Sequence, residues 1–160
     1  MTRNRGIDRG PRPSIAIALE REQVIWLSSV CPDGRPHLVP IWFLWDGDSI
    51  VVFSKPDAQK VRNIRAEPRV MVAIGQPGFD FDVELVDGVA ELPGGPIARH
   101  LSDALAGKYA GLVDGAGITV DRFAAIYSQP IRIRPTRWLG WGGRGWNDAG
   151  GTRWSAPVRA

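Results

Sequence analysis

The chain has 160 residues, 44% of them hydrophobic and 23% charged, with a formal net charge of +3; the length makes about one domain, and the composition excludes a disordered or fibrous protein. One cysteine, Cys31, excludes an internal disulfide framework or a cysteine-rich zinc site, and two histidines, His37 and His100, are too few for a protein-only transition-metal centre. No apolar run approaches the roughly 20 residues that span a bilayer, and the polar start MTRNRGIDRG has no signal-peptide core, so a cytoplasmic protein without a membrane partner is expected.

The charge is unevenly spread. Residues 1–12 carry four Arg and one Asp, residues 13–129 ten Lys/Arg against fifteen Asp/Glu, and residues 130–160 six Arg and one Asp. An acidic body with basic, Gly/Pro-rich ends argues against a generic nucleic-acid face and suits ends that close over a small anionic ligand.

In chain order, residues 1–12 read as a mobile basic tail. Ser14 can cap a short helix to about Glu22, with Ile15, Leu19 and Ala18 turned inward. VIWLSSV (24–30) is a strand, Pro32-Asp33-Gly34-Arg35 a hairpin turn, PHLVPIWFLW (36–45) a second strand and SIVVFS (49–54) a third. KPDAQKVRNIRAEP (55–68) switches to helical period, with Asp57 a candidate N-cap and Val61 and Ile64 facing inward. RVMVAIG (69–75) and FDFDVELVDGVAEL (79–92) are strands, the latter bent near Gly88. Helices are expected from Pro96 to about Ala106 and from Val120 to Ser128, and PIRIRPTRW (130–138) closes the set as a last strand. The Gly- and Trp-rich remainder, 141–160, reads as an extension without a regular core element. About six antiparallel strands with helical insertions point to a small barrel domain over 13–140. The second strand is apolar on both faces, so its outer face needs cover, and a subunit interface would supply it.

Phosphate-loop, dinucleotide, zinc-protease and serine-hydrolase motifs are absent. The junction Phe53-Ser54-Lys55-Pro56-Asp57-Ala58-Gln59-Lys60 offers a hydroxyl, two ammonium groups and a helix start, a reasonable phosphate seat. The same residues also suit a capped surface helix with solvated lysines. His37 reads as a solvated or hairpin-packing histidine, His100 as surface, and Cys31 as a small strand residue. Tyr109 and Tyr127 are candidate pocket residues, Trp26 a core residue, and Trp42 and Trp45 are expected opposite Phe43. Trp146 and Trp154 suggest a docking or covering role for the extension.

The run DGRPHLVPIWFLWDGDSIVVFSKPDAQKVRNIRAEPRV, followed by PIRIRPTRWLGW, resembles the pyridoxamine 5′-phosphate oxidase-like, FMN-binding split-barrel superfamily, and within it the actinobacterial flavin/deazaflavin (coenzyme F-420)-dependent oxidoreductase branch. The resemblance implies a homodimeric six-stranded antiparallel split barrel, mainly β with helical insertions, whose cofactor lies in clefts between subunits. It implies that Val39, Pro40, Ile41 and Trp42 lie along the cofactor ring and that Ser54, Lys55, Gln59 and Lys60 hold its phosphate. Trp138 and Trp141 would approach the ring from the other subunit, and Arg62 or Arg65 would meet the anionic tail of the deazaflavin. The implied activity is hydride transfer from reduced coenzyme F-420 to a conjugated small molecule. An FMN enzyme of the same fold and a non-catalytic flavin- or haem-binding protein are the alternatives. The oxidase itself is disfavoured, because its substrate-phosphate arginine and histidine motif has no match in RPTRWLGWGGRGWND.

Overall fold

The computed structural model of the protein describes residues 11, 13–76, 82–94, 99–115, 117, 119–142 and 153–154. In chain order the elements are α1 (Pro13–Arg21), β1 (Val24–Val30), β2 (Pro36–Trp45), β3 (Ile50–Ser54), α2 (Gln59–Ala66) and β4 (Arg69–Gln76). They continue with β5 (Asp82–Glu91), α3 (Arg99–Gly115), α4 (Val120–Ile126), β6 (Gln129–Gly142) and the two-residue β7 (Arg153–Trp154). The basic tail expected over 1–12 falls almost wholly outside the described residues.

The strands run in the order β3-β2-β1-β4-β5-β6, and β6 pairs back to β3, closing a six-stranded antiparallel barrel. Alternation along β1 turns Ile25 and Leu27 inward, where they meet Phe43, Val52, Val72, Val86, Ile131 and Ile133. Ile15 and Leu19 of α1 and Val61 and Ile64 of α2 join the same core, and each side chain so buried contributes about 1.5–3 kcal/mol. The β1–β2 turn carries Gly34 at φ 84°, the left-handed conformation that glycine adopts without cost.

Several expectations need correction. The helix expected over 55–68 begins at Gln59, with Ala58 rather than Asp57 at its N-cap and no side-chain cap bond. The helix expected to stop near Ala106 runs to Gly115, because Leu101, Leu105 and Tyr109 at helical spacing pack against Leu44, Val51 and Phe53. The last strand runs on to Gly142, and Leu139 is buried, so the Gly/Trp-rich segment begins with a regular element. Trp26 is not core: it points outward and is 49% exposed. Trp45 lies on the Phe43 side, packed against the inner core edge-on to Trp138. The outer face of β2 needs no second subunit at Trp42 and Leu44, since α3 and α4 cover it. Its other half, around Leu38, stays uncovered within the protomer, where Leu38 is 60% exposed.

Gly88 marks the expected bend. The β5–β6 register shifts between Asp87 and Gly88, and a Cβ on Gly88 would stand 2.6 Å from Ile133 Cγ2 and 3.0 Å from the Arg134 carbonyl oxygen.

Candidate functional site

The barrel is split beside β2. One edge of β2 pairs with β1 from Pro36 to Trp42. The other pairs with β3 only over Phe43–Trp45, while β3 pairs on its far side with β6 from Ile50 to Ser54. The stretch 36–42 therefore has no strand on that side among the described residues, and its outward backbone groups are left to a ligand or solvent. The expected ring contacts Val39, Pro40, Ile41 and Trp42 all lie on this stretch. Ile41 is buried and Val39 partly so on the inner face, while Pro40 is exposed on the outer. Trp42 also faces outward, stacked between Tyr109 and Phe123 at centroid distances of 4.6 and 5.4 Å. Its backbone can meet a ligand at this edge; its indole is already taken.

The expected phosphate residues lie at the end of β3 and the start of α2. Ser54 is fully buried, and its hydroxyl donates to the Lys55 carbonyl at 3.1 Å. Lys55 is exposed, its Nζ 6.0 Å from the centroid of the Tyr127 ring. Lys60, in the first turn of α2, is half-buried, and burial pushes its ammonium below the ordinary lysine value. No carboxylate pairs with Lys60 among the described residues, so its charge is desolvated without compensation. A half-buried ammonium without a counter-charge is a candidate group for binding an anion.

Gln59 is engaged within the protein: Oε1 accepts from Arg62, and Nε2 donates to Asn63 Oδ1 at 2.7 Å. Arg62 also donates to the Asp57 carbonyl at 2.7 Å, so it secures the start of α2, whereas Arg65 is exposed. Trp138 is buried in its own barrel, and Trp141 pairs through its backbone with Val83, its side chain lying outside the described residues. The side chains of His100, Trp146 and Trp154 lie outside them too.

The basic C-terminal segment is less available than its charge suggests. Arg132 bonds Asp46 at 2.8 Å, Arg134 pairs with Glu91, and Arg137 pairs with Asp87. Asp46 also accepts from the backbone N–H groups of Asp48 and Ser49. Partial burial raises its pKa, but these bonds and Arg132 prevail and hold the carboxyl below the usual range.

Tyr109 is not a pocket residue. Its hydroxyl accepts from Phe43 N, and its single proton lies within reach of the carbonyls of Gln23 and Phe43, each at 2.8 Å; burial pushes the phenol up to about 12. Two site features escaped sequence reasoning. Asn63 is fully buried in the middle of α2, donating to Ser29 Oγ at 3.0 Å; its place beside Val61 and Ile64 on the inward face was the available signal. Of the two readings of His37, hairpin packing suits it better than solvation: it is half-buried in the β1–β2 hairpin, and the enclosure of its Nδ1 without a hydrogen-bond partner among the described residues was not foreseen.

A family model described as pyridoxamine 5′-phosphate oxidase matches residues 12–142. Among solved structures, an F-420 reductase is 28% identical, with a TM-score of 0.58, over 81% of this chain and 98% of its own. A conserved hypothetical protein from Mycobacterium tuberculosis is 26% identical, with a TM-score of 0.67, over 88% and 90%. The haem storage protein of Vibrio cholerae, at 16% identity and a TM-score of 0.63 over 82% and 96%, shares the fold. No curated protein matches. The family match runs through all six strands of the barrel and the α2 junction, and the chain belongs to the pyridoxamine 5′-phosphate oxidase family.

Proposed function

We propose that the protein is an oxidoreductase that uses reduced coenzyme F-420 to transfer hydride to a conjugated small molecule, working as a homodimer. Lys60 carries the reading: a half-buried ammonium with no carboxylate partner among the described residues, in the first turn of the helix that follows β3, fits the phosphate of a flavin-type cofactor. Lys55 and Lys60 would hold the phosphate, and the free backbone groups of Val39–Trp42 would address the ring's polar edge. The bound deazaflavin supplies the hydride, so the protein's task is to bind, orient and exclude water. The similarity to an F-420 reductase at 28% identity supports the choice of cofactor.

FMN is the second reading. The pairing of Arg132, Arg134 and Arg137 with carboxylates removes part of the electrostatic reason for a longer anionic tail, and FMN needs only the phosphate seat. The haem alternative rests on likeness of fold alone.

Fluorescence titrations with FMN and with the deazaflavin, at low and high salt, decide between them. The deazaflavin is expected to bind more tightly than FMN. Lys60→Ala should weaken that binding roughly ten- to hundredfold, the loss of one charge-assisted contact. Tighter FMN binding at both salts moves the assignment to FMN. Unchanged affinity in Lys55→Ala, Lys60→Ala and the double variant removes the phosphate seat.

A further inference from the structure

Between α2 and the β1–β2 ladder runs a chain of hydrogen bonds, exposed at Arg62 and buried at Asn63 and Ser29, whose direction is determined. Arginine has only donors, and Arg62 gives two of them to Gln59 Oε1, from Nε at 3.3 Å and Nη2 at 2.7 Å. That establishes which end of the Gln59 amide is oxygen, so its Nε2 is the donor to Asn63 Oδ1. The Asn63 amide is oriented in turn, and its Nδ2 donates to Ser29 Oγ at 3.0 Å and toward Cys31 Sγ at 3.6 Å. Every acceptor up to Ser29 is thus filled from the α2 side. Ser29 is itself buried, and it still has its own hydroxyl proton to give.

Directly opposite Ser29 across the ladder stands His37, with its Nδ1 enclosed and unbonded among the described residues. Opposed residues on one face of an antiparallel pair have Cβ atoms about 4.5–5.5 Å apart, so a change of rotamer brings hydroxyl and imidazole together. A buried donor and a buried acceptor, each unspent among the described residues and opposed on one face of the ladder, gain by pairing.

We propose that His37 ends this chain: Ser29 donates to Nδ1, the ring proton is thereby held on Nε2, and Nε2–H donates to an acceptor oxygen of the ligand bound along β2. The tautomer follows from the proton inventory, because a neutral imidazole has one donor and one acceptor nitrogen and the chain fills the acceptor. The placement follows from the strand. His37 shares the inner face with Val39 and Ile41, on the stretch of β2 whose second edge is unpaired, and as a half-buried residue it keeps one edge of its ring open. The identity of the ligand rests on the flavin or deazaflavin reading; the tautomer does not.

The test is nitrogen-resolved NMR of the full chain, in which the two histidines are told apart by His100→Gln. The expected spectrum shows His37 as the Nε2–H tautomer with Nδ1 accepting a hydrogen bond, and Ser29→Ala turns it into a tautomer mixture. Titration with FMN and with the deazaflavin follows. His37→Phe should lower affinity for the tighter probe about tenfold, and His37→Gln, whose amide can donate from a similar position, should recover most of it. An Nδ1–H tautomer in the unaltered protein, or one indifferent to Ser29→Ala, overturns the proposal, and so does unchanged affinity in His37→Phe. If the unaltered protein binds neither probe, the cofactor reading fails, and the tautomer alone decides the direction of the chain.

Discussion

Trp42 and Tyr109 lie nearly flat on one another, ring centroids 4.6 Å apart and planes 9° from parallel, while the Tyr109 hydroxyl bonds the backbone of the residue after Trp42. One side chain of α3 therefore holds β2 twice, by its ring and by its oxygen. Tyr109→Phe keeps the stack and takes the hydroxyl from the buried N–H and carbonyl of Phe43. The expected cost is about 1–3 kcal/mol, read from urea unfolding; a loss within a few tenths would show that the backbone groups find other partners.

Lys60 should cost the free protein stability and strengthen cofactor binding. Its half-buried ammonium has no compensating carboxylate among the described residues, so Lys60→Met is expected to raise the urea midpoint of the free protein while weakening cofactor binding at least tenfold. A variant that loses both stability and binding would make Lys60 a structural residue.

The outer face of β1 and β2 presents Trp26, Leu38, Val24 and Val30 to solvent within one protomer. If the dimer forms there, Trp26→Glu should leave a folded monomer in sedimentation at micromolar concentration. A dimer that survives this change has its interface elsewhere.

At Gly88 the space for a methyl group is occupied by Ile133 and by the backbone of Arg134. Gly88→Ala should destabilise by about 1–3 kcal/mol in chemical unfolding, since a strand backbone cannot step aside as a flexible side-chain tip can. An unaffected midpoint would mean that the bulge relaxes freely.

Lys108 and Tyr109 set opposite slopes of stability against pH. Burial draws the Lys108 ammonium down to about 8, against an attraction from Glu22, although its Nζ donates to the Leu19 carbonyl and lies 3.7 Å over the Phe43 ring. With the folded value below the unfolded one, the unfolded chain binds the extra proton between them, so stability should rise from about pH 8 towards 10.5. The Tyr109 value is raised, to about 12; its contribution is complete below about 10 and lost as the pH climbs through the folded value. Lys108→Met should flatten the rise and spare the later fall, both read from unfolding midpoints across pH.

Strand positions were legible because tight turns such as Pro32–Arg35 punctuate strongly patterned runs. Facing was harder. In VIWLSSV the inward Ile25 and Leu27 and the outward Trp26 are all apolar, and the two serines fall one on each face, so alternation does not mark the outside. The true length of α3 depends on Tyr109, whose stabilising partners lie in β2, about sixty residues earlier in the chain. The β3–α2 junction, with Ser54, Lys55 and Lys60 together, was visible in its residue types. The order of donors ending at Ser29 was not, because it depends on which amide atom faces which neighbour.

The seam between β3 and β6 joins Ile50 to Ile133, about eighty residues apart along the chain. Closing so large a loop is entropically costly before any pairing rewards it, and folds dominated by such distant contacts form slowly. Until β6 arrives, β3 and β5 present bare edges, and a newly made chain passes through a stage able to recruit strands from its neighbours. Slowing the arrival of β6, by lengthening the connection after α4 for instance, would prolong that exposure and lower the yield of folded protein while leaving the finished barrel unchanged.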